Sequence, residues 1–145
     1  MNIIIWSLIG ACILSAIIIV WVFISYYSIS NLNEPDGKAR ITGKCGDTME
    51  IYLKFHNGKV IDTSYWTDGC LYSYNSLCAA AELAKGKTPD EIAEIDAKMI
   101  KDYIGGLPSD HIHCAQLAEE TLQAALNDYM IKITKQTKEQ SPAKA

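Results

Sequence analysis

The feature that most constrains this chain is where its charges lie. Residues 1–30 contain no Asp, Glu, Lys or Arg, so all 13 Lys+Arg and 17 Asp+Glu of the 145 residues fall in the rest of the chain. An oily leader and a normally charged body follow from that division, and the 49% hydrophobic content is an average over the two. A body of this kind excludes a polytopic membrane protein and a largely disordered chain. The net charge of −4 argues against the basic face that a nucleic-acid partner would require. Five cysteines are too sparse, and odd in number, for a disulfide scaffold.

Ile3 to Ile24 is an uncharged run that would be roughly 33 Å long as a helix, enough to cross a bilayer core. Trp6 at one end and Trp21, Tyr26 and Tyr27 at the other fit interfacial aromatic belts. A cleaved signal peptide fits less well, because the basic n-region is missing and the apolar run is too long. Lys38, Arg40 and Lys44 follow the run and no Lys or Arg precedes it. The positive-inside rule then predicts a single-pass membrane protein with its body in the cytoplasm. The expected organisation is an anchor over 1–30, a linker over 31–38, a folded domain over 39–131 and a polar, disordered tail over 132–145.

Within the body, Thr48 to His56 alternates: Met49, Ile51, Leu53 and Phe55 share one side of a half-buried strand. Asn57-Gly58 is a strong hairpin signal, and Lys59 to Trp66 is the returning strand. A further short strand is expected over 39–42. Tyr72 to Lys85 is rich in Ala and stops at Gly86, as a helix does. Thr88-Pro89-Asp90-Glu91 combines a capping box with Pro at the first helical position. A second short helix is expected over 97–103, broken by Gly105-Gly106-Leu107-Pro108. From Ile112 onward, Cys114, Leu117, Ala118, Thr121, Leu122, Ala125 and Tyr129 trace one helix face. Strands first and helices afterwards predict an α+β fold: a small antiparallel sheet of about three strands followed by packed helices.

No phosphate-binding loop or nucleophile elbow is present. The chemistry-bearing candidates are Cys45 and Asp47 before the first long strand, Cys70 between a strand and a helix, and His113-Cys114 at the start of the last helix. All stand at junctions, where loops converge at one end of a sheet. Thiolates select Zn(II), Cu(I) and iron–sulfur centres. Three thiols with Asp47 or His113 as fourth donor are a poor set for a permanent redox centre, since iron–sulfur clusters are ordinarily held by Cys alone. Such a set suits a centre that is built and handed on. Scattered cysteines are also common as core filler, His111 is either a second candidate ligand or a surface residue, and Asp47 can simply cap a turn.

These residues carry a resemblance. Cys45-Gly46-Asp47, Gly69-Cys70, Glu82 to Lys87, His113-Cys114, Leu117-Ala118-Glu119, Ala124-Ala125 and Asp128-Tyr129 occur in the order and spacing of the iron–sulfur cluster assembly scaffolds of the IscU / NifU N-terminal type. The resemblance covers about residues 36–130. It implies a scaffold, not a turnover enzyme, that receives sulfur from a cysteine desulfurase, assembles a [2Fe–2S] cluster with iron, and transfers it to apo acceptor proteins. It assigns Cys45, Cys70 and Cys114 as sulfur-accepting thiols and Cys45, Asp47, Cys70, His113 and Cys114 as metal ligands. Zinc is implied as an occupant of the same site, and a homodimer bridged by a cluster is compatible with it.

Three departures stand out. The family's Leu-Pro-Pro-Val-Lys segment reads Leu107-Pro108-Ser109-Asp110-His111 here, which argues against recognition by the specialised Hsp70. Leu71-Tyr72 replaces a small pair after Cys70. The charge-free leader is an addition. Cys70 and Cys114 are 44 positions apart, without the insertion of the zinc-dependent sulfurtransferase type, and no further cluster domain is expected after Met130. Two other functions compete with the scaffold: a zinc-binding persulfide relay, and a degenerate interaction module tethered to a membrane.

Overall fold

A computed structural model describes residues 10, 12–23 and 34–140. The chain divides into two compact units, residues 1–33 and 34–145. In the first, residues 12–23 are helical. Among the described residues, no helix is long and apolar enough to cross a membrane. This overturns the predicted single-pass localisation with the body in the cytoplasm. The rest of the expected span, 3–9, 11 and 24, lies outside the described residues.

The second unit opens with a three-stranded antiparallel sheet in the order β1-β2-β3. Its strands are β1 (Gly37–Thr42), β2 (Thr48–His56) and β3 (Lys59–Thr67). The alternation of β2 is realised: Met49, Ile51 and Leu53 are fully buried and Phe55 nearly so. Each such side chain contributes about 1.5–3 kcal/mol on burial. The hairpin turn puts Asn57 at φ 51° and Gly58 at φ 74°, the left-handed pair that a tight two-residue turn needs. A register shift between Lys54 and Phe55 marks a bulge near that turn. β1 starts earlier than its composition suggests. A Cβ on Gly37 would meet the Ala125 carbonyl oxygen at 2.5 Å, so only glycine lets the strand lie this close to the last helix.

Four helices follow: α1 (Leu71–Ala84), α2 (Pro89–Ala93), α3 (Ala97–Tyr103) and α4 (Ile112–Gln140), with a 3-10 turn over Ser109–His111. The capping box of α2 is present, with Thr88 and Glu91 bonding each other's backbone N–H. Asp96 caps α3 by accepting from the Met99 N–H. α1 buries Ser73, Ser76, Ala79, Ala80, Ala81 and Ala84 beside Leu77, small residues that let it approach β3 and α4. α4 crosses β1 and β2, and Tyr129 stacks on Phe55 with ring centroids 3.6 Å apart. The helix does not fray where its sequence turns polar. Thr134 and Thr137 return their hydroxyls to the carbonyls of Met130 and Ile133, and no Gly or Pro interrupts it before Gln140.

Candidate metal centre

The sequence-predicted residues gather at the end of the sheet away from the Asn57-Gly58 turn. Three local devices hold them. The β1–β2 connection is a tight turn in which Gly43 N–H donates to the Asp47 carbonyl and Gly46 sits at φ 92°. This leaves Cys45 exposed at the turn and aims Asp47 across to α1. The β3–α1 connection is pinned by the Thr48 N–H, which donates to Asp68 Oδ1 at 2.6 Å, and by the Thr67 hydroxyl, which accepts from the Gly69 N–H. Cys70 is therefore the N-cap of α1. The third device is the 3-10 turn ahead of α4, which delivers His111, His113 and Cys114.

Ser73 is the hub of the site, and the sequence reading missed it. It is fully buried in the first turn of α1. Its hydroxyl donates to Asp47 Oδ2 and lies 3.6 Å from Cys70 Sγ and 3.4 Å from Cys114 Sγ. One hydroxyl thus touches a carboxylate and both thiols. Gly69 makes room for the carboxylate, since a Cβ there would sit 2.5 Å from Asp47 Oδ2. A serine three positions after a helix-capping cysteine was the available signal, because that spacing stacks the two side chains on one turn.

The two thiols are tuned in opposite directions. Cys70 lies at the open N-terminus of α1, where the Ser73 N–H above all, with the Ser73 hydroxyl and the Tyr72 N–H, lowers its pKa by favouring the thiolate. Cys114 is buried, and desolvation raises its pKa; the Ser73 hydroxyl opposes this, while the neighbouring Cys70 and Asp47 add to it.

The two histidines stand in different surroundings. A ring nitrogen of His111 and the sulfurs of Cys70 and Cys114 lie within 4.8 Å of one another, a grouping that could hold a metal ion. His111 Nδ1 is shielded from solvent and has no hydrogen-bond partner. Tyr72 stacks on the His111 ring at 4.1 Å. His113 is exposed, with its Nε2 3.6 Å from Cys114 Sγ. It shares with Cys45, Lys44, Gln116 and Glu120 an open cleft of about 410 Å³. Cys45 does not join the compact three-donor group.

Residues 31–136 match the NifU-like N terminal domain. The chain belongs to this family. Among relatives of the NifU-like domain, it is 33% identical over 106 residues to the iron–sulfur cluster assembly scaffold protein IscU 1 of Archaeoglobus fulgidus, covering 72% of this chain and 69% of that protein. It is 38% identical over 89 residues to the iron–sulfur cluster assembly enzyme IscU of Drosophila melanogaster, covering 61% and 57%. The fold is shared with an N-terminal NifU-like structure from Brucella abortus, at a TM-score of 0.52 and 22% identity over 70% of this chain and 83% of that one. The NifU-like match begins at residue 31, so it takes in none of the charge-free leader.

Proposed function

We propose that this chain is a scaffold on which a [2Fe–2S] cluster is assembled from iron and desulfurase-derived sulfur and then passed to apo acceptor proteins. The observation that carries this reading is the convergence of Cys70, Cys114 and a histidine nitrogen at the mouth of the domain, beside Asp47 and the exposed Cys45. The cluster is cargo. The donor set fits it: soft thiolates bind iron and sulfide, while carboxylate and imidazole donors are more readily replaced. A site that must release what it holds needs that mixture. The protein's role is to hold and hand on, without catalytic turnover of its own.

Cys45, Cys70 and Cys114 are the sulfur-accepting thiols of this reading, with Asp47 and His113 completing the ligands around the assembling cluster. Sulfur arrives as the outer atom of a persulfide on the donor. A scaffold thiolate attacks that atom, the donor's S–S bond breaks, and the donor leaves as its own thiolate. Exposure gives Cys45 and Cys70 access to such a donor, and the lowered pKa of Cys70 supplies the thiolate. The working domain of this reading is 39–131, with β1 reaching back to Gly37.

The test is anaerobic reconstitution of the chain with iron, cysteine and a cysteine desulfurase. Visible absorption, bound iron and acid-labile sulfide report cluster formation, and incubation with an apo-ferredoxin reports transfer. A transferable cluster that is lost in Cys45→Ser, Cys70→Ser and Cys114→Ser is expected. No bound sulfide in the unaltered chain would rule the reading out.

A further inference from the structure

We propose that His111, in place of His113, joins Cys70 and Cys114 as the third protein ligand of a mononuclear site for a thiophilic divalent cation such as zinc. This deepens the scaffold reading, and rests on it, by naming the donor set that is assembled before any cluster.

Four observations converge on His111. Its ring nitrogen is grouped with both thiols inside 4.8 Å. Its Nδ1 is buried and unpartnered, and buried polar atoms are ordinarily satisfied, so one left bare on a residue grouped with two thiols points to a ligand. Its other nitrogen, Nε2, lies 3.5 Å from the Asp110 carboxylate. Ligating histidines commonly give their second N–H to a carboxylate, which fixes the tautomer and leaves the opposite lone pair for the metal. The Tyr72 ring, stacked at 4.1 Å, holds the imidazole plane. Asp110 and His111 both belong to the segment where this chain departs from Leu-Pro-Pro-Val-Lys, so the ligand and its orienting carboxylate come as a pair.

His113 lacks these supports. It is exposed and faces the cleft shared with Cys45. Asp47 stands outside this grouping, and its Oδ2 accepts from the Ser73 hydroxyl. Two thiolates and one imidazole leave a fourth tetrahedral position open, as in zinc sites that admit an exogenous ligand. A metal seated there engages Cys70 and Cys114 and leaves Cys45 free.

The experiment is an anaerobic Co2+ titration of the full chain, followed by Zn2+ competition. Tetrahedral cobalt reports through its visible ligand-field bands, and each thiolate adds sulfur-to-cobalt charge-transfer intensity. His111→Gln is expected to weaken binding about 100-fold or more, whereas His113→Gln changes it about threefold at most. His111→Cys separates ligation from ring packing. It is expected to restore affinity and add charge-transfer intensity, which a merely structural histidine would not do. A folded His111→Cys chain that binds no better than His111→Gln overturns the inference. So does loss of binding in His113→Gln with His111→Gln unaffected, and so does an unaltered chain that takes up no cobalt. Cluster assembly is read separately through bound sulfide. Cobalt binding that depends on His111 without any sulfide-bearing cluster sinks the scaffold reading alone, while a cluster in a chain whose cobalt site ignores His111 sinks this inference alone.

Discussion

The starts of α1 and α4 each carry a cysteine into the same site, one as N-cap and one in the first turn, and the two treat it oppositely. At α1 the thiol is exposed and backbone N–H groups favour its thiolate. At α4 the thiol is buried, and lost solvation favours the neutral form. A helix start is therefore not enough to activate a cysteine; the balance between exposed amide donors and burial decides the sign. Ser73 couples the two, since its hydroxyl contacts both sulfurs and Asp47.

The contrast can be broken most severely at Gly69. Gly69→Ala would drive a Cβ to 2.5 Å from Asp47 Oδ2 and 2.7 Å from Ser73 Cβ. Displacing both is expected to cost about 3 kcal/mol in urea denaturation, the upper end for overpacking. An unchanged midpoint would show that the site yields freely.

Ser73→Ala is the next largest. It strips Asp47 and both thiols of a shared partner, at an expected cost of about 2 kcal/mol. The Cys114 titration midpoint should move further up, because Ser73 is what lowers it. The Cys70 midpoint should rise less, because the Ser73 backbone N–H is its main support and survives the substitution. Ultraviolet thiolate absorbance of single-cysteine variants would check both directions.

Unaltered chain offers a direct reading of the same contrast. Near neutral pH, iodoacetamide should modify Cys70 about tenfold or more faster than Cys114, since the thiolate is the nucleophile. Peptide mass spectrometry of timed samples measures the ratio. Equal rates would mean that burial and amide donation do not separate the thiols.

The smallest effect is on stability against pH. Cys114 holds its proton more tightly folded than unfolded. Its contribution is thus complete below the ordinary thiol value of 9.0 and is lost as pH rises through the higher folded value. Cys70 runs the other way: its contribution is present above that value and lost as pH falls through the lower folded one. Cys114→Ser should flatten the alkaline loss of stability, and Cys70→Ser should steepen it, in denaturation midpoints from neutral pH to above 9.

The sheet was legible because strand periodicity and turn chemistry are local. Met49, Ile51, Leu53 and Phe55 declare a face, Asn57-Gly58 declares the turn, and Thr88 and Glu91 declare a helix start. The start of β1 was not legible, because Gly37 is there for its contact with Ala125, 88 positions away. The reach of α4 to Gln140 follows from a run of helix-compatible residues without Gly or Pro, which polarity alone hides. In the site, adjacency along the chain does not tell which side chains meet: His113 and Cys114 are consecutive, and consecutive helical residues point about 100° apart. His111 is three positions before Cys114 and can share its face. The membrane span rested on hydropathy over 3–24, whereas the described helix covers 12–23.

β1 has one more consequence. Its first residue, Gly37, presses on the Ala125 backbone, and Gly43, just past its end, faces Leu117 and Cys45 Sγ, so that a Cβ there would lie 2.8 Å from Leu117. The strand is clamped to α4 at Gly37, where backbone leaves no room for a side chain, and at Gly43 it packs against the movable end of Leu117. It works as a ruler laid along the helix, with Cys45 just past its last graduation, and its length is counted in whole residues. Inserting or deleting one residue between Gly37 and Gly43 would change that count and turn the following side chains over.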